Sequence, residues 1–126
     1  EKDSLLAELD KKARELLQKK KIAEAVAVWQ QGMETSTGLR QKFQCRIFLI
    51  KLLLAAGKKE MAIPHVFMLL DVLEKYQLKE WEPDLAVQGL ILVFEALEGV
   101  EDYEQKRDEI KQMLICLNPS LALKVL

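Results

Sequence analysis

Side chains able to do chemistry are few in this chain, and their spacing assembles no reaction. His65 is the only histidine, and Cys45 and Cys116 are the only cysteines. A nucleophilic site needs a hydroxyl or thiol beside a base that a third group orients. Its usual signatures, such as a Gly-x-Ser-x-Gly turn or a Glu-x-x-His pair, do not occur. One histidine and two distant cysteines lack the ligand spacing of a zinc site. The acidic residues Glu95, Glu98, Glu101, Asp102 and Glu104 straddle Gly99. They lack the alternating ligand pattern of a calcium loop, and they read as a solvated corner between helices. No glycine-rich loop is present to cradle a phosphate. His65 follows Pro64 and reads as a half-buried packing residue. These residues predict a protein that is not an enzyme, with no catalytic, cofactor-binding or metal-binding position.

Composition narrows the classes further. The 126 residues suit one domain spanning 1–126, or a fragment of a larger protein. Glu1 stands where an initiator Met would, so an excised fragment is the expectation. Half of the residues are hydrophobic and 31% are charged, which excludes a disordered chain. Lys plus Arg is 19 and Asp plus Glu is 20, a balance that predicts no nucleic-acid partner. Two lone cysteines suit a reducing cytoplasm. No basic-then-apolar leader opens the sequence. The longest uncharged apolar runs, 61–70 and 85–94, fall short of the roughly 18–20 residues that span a bilayer, so no membrane insertion is expected.

The elements that must carry these side chains are helical. Leu5, Leu6, Leu9, Ala13, Leu16 and Leu17 recur at three- and four-residue steps, predicting an amphipathic helix over 3–19. The basic run Lys19, Lys20 and Lys21 suits its carbonyl end. A second helix over 22–34 turns Ile22, Ala25, Val26, Val28, Trp29 and Met33 inward. The polar break at 35–38 ends it. A third helix, 39–56, closes at Gly57. A fourth, 59–78, carries Pro64 in its early turns and should start late or kink there. A fifth, 83–98, begins at Pro83. A sixth, 101–117, ends at Asn118-Pro119, and an apolar tail follows over 121–126. Short connections set consecutive helices side by side. A faint repeat of 37 residues relates Leu16, Leu17, Lys21 and Ala25 to Leu53, Leu54, Lys58 and Ala62. The expected fold is therefore all-α: an antiparallel bundle of helical hairpins, six to seven helices, of tetratricopeptide-like or α-solenoid-like kind.

The third, fourth and fifth helices are apolar around more than one face, and a helix of that kind must be buried on all sides. A domain this small encloses about one such helix, so a second copy of the chain is expected to cover the rest. The tail residues Leu121, Leu123, Val125 and Leu126 must likewise dock, because so short a helix is not stable alone.

Three segments carry a family resemblance. The first reads Gly38-Leu39-Arg40-Gln41-Lys42-Phe43-Gln44-Cys45-Arg46 and is followed by a Leu-rich helix closed by Ala56-Gly57-Lys58. The second holds Ala62, Pro64 and Leu69-Leu70. The third reads Leu78-Lys79-Glu80-Trp81-Glu82-Pro83-Asp84-Leu85. In this order they resemble the C-terminal, VasJ-like domain of TssA/ImpA-family proteins of the bacterial type VI secretion system. The resemblance implies a cytoplasmic scaffold that self-associates into a large ring, with two layers in many members. It implies partners in the baseplate, the tube and the sheath. It also makes Arg40, Phe43, Arg46, Trp81, Glu82, Pro83 and Leu85 the family's structural or interface positions, with Glu82 or Asp84 as a partner for Arg46. Trp81 has two readings: a hydrophobic staple over the helix that Pro83 starts, or an anchor between subunits. The competing function is a monomeric α-solenoid adaptor that grips a partner's helix or peptide.

Overall fold

The computed structural model describes the backbone from Lys2 to Leu126 and side chains from Ser4 onward; Glu1, on which the fragment expectation rests, lies outside the described residues. Eight helices and no strand occur among them: α1 (Lys2–Gln18), α2 (Ile22–Thr35), α3 (Leu39–Ala55), α4 (Lys59–Lys75), α5 (Leu78–Trp81), α6 (Pro83–Ala96), α7 (Glu104–Leu117) and α8 (Pro119–Val125). The fold is all-α, with two more elements than the six long helices in the sequence pattern. One extra is the single turn α5, split from α4 because Gln77 adopts a left-handed conformation (φ 49°). The other is α8, formed from the apolar tail. No described helix is long and apolar enough to cross a membrane. The chain divides into two compact units, one ending at Ala62 and the other running from Ile63 to Leu126.

In the first unit, α1 packs on α2 and α2 on α3. Leu6 and Ala13 are buried on α1, while Arg14 and Asp10 pair at 2.7 Å on its polar side. The centre holds Trp29, which is 1% exposed and lies flat on Phe48, with ring centroids 4.6 Å apart and planes 5° from parallel. The 37-residue repeat reappears in the turns. Lys20 and Gly57 both take left-handed backbone, with φ of 62° and 72°. Each turn is closed by the same pair of bonds: Lys20 N–H to the Leu17 carbonyl and Lys21 N–H to that of Leu16, then Gly57 N–H to Leu54 and Lys58 N–H to Leu53. This is the Schellman closure of a helix end. The run Lys19–Lys21 therefore lies beyond the last turn of α1, which holds no basic residue.

Helix α4 begins in the last residues of the first unit, at Lys59, and continues into the second through Pro64, so the proline does not delay the helix. Pro64 sits inside the helix, past its first turn, so the Glu60 carbonyl loses its usual donor. Ala62, Val66, Leu69, Leu70 and Leu73 form the buried stripe of α4, leaving Met61 and Met68 exposed. Helix α6 is buried on almost every side, from Leu85 to Leu97, with only Pro83, Asp84, Gln88 and Glu95 exposed. The covering expected from a second copy is thus supplied to α6 by its own chain. Arg107 ties α7 to the end of α6: its Nε donates to the Phe94 carbonyl at 2.8 Å, and its guanidinium lies 3.7 Å over the Phe94 ring. Phe67 meets Tyr103 at 5.0 Å, and Lys106 pairs with Glu74 at 3.1 Å. Helix α7 begins three residues later than its pattern suggests, because Asp102 is left-handed (φ 73°) soon after Gly99 (φ 74°).

Candidate functional site

The motif residues fall into three settings. On α3, Phe43 is buried, Arg46 half-buried and Arg40 exposed, so the Arg-x-x-Phe-x-x-Arg run spans a face from core to solvent. Burial holds the Arg46 guanidinium below its ordinary pKa, because desolvation penalises the charge.

The second setting is the corner at α5. Glu82 sits at φ −135° and ψ 66°, outside the helical region as the following proline requires, and Pro83 opens α6. Leu78 and Leu85 are buried on either side of the corner. Trp81 is 80% exposed, which overturns its reading as a staple. A staple packs the residue before the N-cap onto the fourth helical residue. Here that partner is Ala86, a methyl group already fully buried, which gives an indole nothing to rest on.

The third setting is the tail. The Asn118 carboxamide oxygen accepts from the Leu121 N–H and from the Ser120 hydroxyl, each at 3.1 Å, and Pro119 occupies the first position of α8. The dipeptide that ends α7 therefore also starts α8. Ala122 is buried and Leu121 half-buried. Leu123 is 87% exposed, and Val125 and Leu126 are exposed beside it.

One further feature lay outside the sequence reading. A groove of about 610 Å³ lies along α1 and α2. Leu5, Leu9, Leu16, Ala27 and Val28 form its apolar walls, and Lys12, Glu24, Gln31 and Thr35 supply polar groups. Gly32 and Cys45 lie at its base, where a Cβ on Gly32 would come within 3.3 Å of the Cys45 sulfur and 3.5 Å of Leu9. The available signal was Gly32 itself, a helix-interior glycine that costs about 1 kcal/mol relative to alanine. Burial pushes the Cys45 thiol pKa up, and the Ser36 hydroxyl, 3.9 Å away, draws it partly back. The thiol is an inert packing group.

His65 is half-buried on α4, and the five acidic residues around Gly99 are all exposed. Among the described residues, no three His, Cys, Asp or Glu side chains are placed to hold a metal ion.

Comparison with known families supplies the identification. A family model described as type VI secretion, EvfE, EvfF, ImpA, BimE and VasJ matches residues 1–93. The chain belongs to this VasJ family of type VI secretion proteins. The match holds every motif residue from Arg40 to Leu85, whereas α7, α8 and the exposed tail lie beyond it. No curated protein and no solved structure matches the chain.

Proposed function

We propose that this VasJ-family chain is a ring-forming structural scaffold of the type VI secretion system, acting in baseplate and tube/sheath assembly. The observation that carries the reading is a set of large apolar side chains standing in solvent on helices that are otherwise well packed. Trp81 and Leu123 are the most exposed, and Met61, Met68, Leu5 and Leu126 add to them. Tryptophan is favoured at interface centres, so an indole this exposed supports an interaction surface at α5. In this reading residues 1–126 act as one oligomerisation module, the C-terminal part of a longer protein. They assemble as a large homo-oligomeric ring, with two layers and without catalysis, in the bacterial cytoplasm. Sheath, tube and baseplate proteins are the partners, and nucleic acid is not.

A second reading has its own support. The open groove on α1 and α2 suits a monomeric α-solenoid adaptor that takes a partner's helix. Absolute mass by light scattering after size exclusion separates the two. The ring reading expects a discrete species of roughly ten or more chains that survives dilution. A monomer of 14.5 kDa would overturn it in favour of the adaptor.

A further inference from the structure

We infer that the end of the first unit where Lys19, Lys20, Lys21 and Lys58 gather docks a carboxylate-rich segment of a partner protein. The chain's net charge of −1 conceals an uneven distribution. Residues 1–62, the first unit, hold 13 Lys and Arg against 8 Asp and Glu, a net of +5. Packing brings part of that excess to one end. Trp29 lies on Phe48 and Gly32 lies against Cys45, so three residues forward on α2 match three back on α3. The two helices are therefore antiparallel, and the same match sets Lys21 level with Ala56. The turns at 19–21 and 56–58 thus share one end of the unit. Lys19, Lys20, Lys21 and Lys58 are all exposed there, and among the described residues none of the four takes part in an ion pair. Glu24 and Glu60, in the first turns of α2 and α4, are the nearest carboxylates along the sequence, and they leave the end positive.

The backbone gives these side chains a role beyond solvation. Lys20 holds a left-handed conformation (φ 62°) where its counterpart in the 37-residue repeat is Gly57 (φ 72°). A side chain in that conformation is strained and glycine is not, and retained strain of this kind gathers at functional positions. The chemistry then selects the partner. Lysine ammoniums are point charges and lack the flat fork with which arginine grips phosphate. Residues 18–24 and 55–60 contain no arginine, and no aromatic ring that could stack on a base. Neighbouring helices stand about 8–10 Å apart, and four extended residues span about 13 Å. A short extended run of Asp and Glu therefore reaches across both turns.

The test follows a fluorescently labelled octaglutamate peptide by anisotropy at low salt, where exposed charges are least screened. Combining Lys20→Gln, Lys21→Gln and Lys58→Gln should weaken its binding at least about tenfold. Combining Lys75→Gln, Lys79→Gln and Lys124→Gln removes the same charge from exposed positions of the second unit and should change it less than about twofold. Circular dichroism checks that both variants keep their fold. Equal weakening by the two variants would overturn the inference, because bulk charge would then suffice. So would an unaltered chain that does not bind the peptide. An oligothymidylate of equal charge that binds at least as tightly would overturn it in favour of a phosphate ligand. A fall in the chain's own mass by light scattering when the three lysines of the first unit are neutralised would overturn it in favour of another copy of the chain. The ring reading is decided separately, by the mass of the unaltered chain.

Discussion

The surroundings of Trp29 and of Trp81 differ in what a tryptophan has to rest on. Trp29 sits mid-helix on α2, in an apolar stripe shared with Ala25 and Val28, and lies flat on Phe48 of α3. Trp81 ends a helix of four residues, between the left-handed Gln77 and the helix-starting Pro83. A long helix turns every third or fourth residue toward the same neighbour, so one apolar side chain helps to bury the next. A single turn has no such stripe. Its tryptophan is covered only if a partner lies in the right place, and within the chain that partner is the methyl group of Ala86. Regular periodicity therefore seals the first region from within. The second region leaves its indole in solvent.

The largest effect that would sharpen this contrast is in thiol labelling. Cys45, in the sealed region, is both shielded and held protonated by burial, while Cys116 is exposed. Cys45 should react at least about 1,000-fold more slowly than Cys116 in the native chain, since its labelling waits on opening of the core. Comparable rates would show that the first unit opens freely. Next, Trp29→Ala should cost about 3–5 kcal/mol in urea unfolding, through the emptied volume and the lost stacking on Phe48. A loss under about 1 kcal/mol would break the comparison from the buried side.

In the exposed region the costs are local. Asn118→Ala removes the oxygen that caps α8 and should lower stability by about 1 kcal/mol, with faster amide exchange confined to Leu121 and its neighbours. Trp81→Ala should change unfolding free energy by no more than about 0.5 kcal/mol while reducing the mass of the assembly. A loss of several kcal/mol would return Trp81 to the core, and an unchanged mass would remove it from the interface.

The sequence pattern made the long helices legible because their apolar residues repeat at three- and four-residue steps. It placed Trp29 inside and put the break at Gly57 where the backbone turns. It missed the split between α4 and α5 because Gln77 is an unusual residue for left-handed backbone and carries no turn signature. It read Asn118-Pro119 as a stop alone, although an asparagine cap followed by proline at the first helical position is also a start. The site was less legible than the fold. Whether Trp81 packs or protrudes depends on the size of the residue five positions on. The groove depends on how closely α1, α2 and α3 approach around Gly32, and no periodicity encodes that distance.

The matching turns at Lys20 and Gly57 leave room for engineering. A left-handed conformation costs an ordinary side chain about 1–2 kcal/mol, and glycine escapes that penalty. One turn of the pair already has glycine, and the other holds the same backbone with lysine. Lys20→Gly should therefore raise the melting temperature by several degrees, gaining about 1 kcal/mol without altering a single packed side chain. The chain thus carries its own template for a more heat-resistant variant, written 37 residues downstream of the position to change.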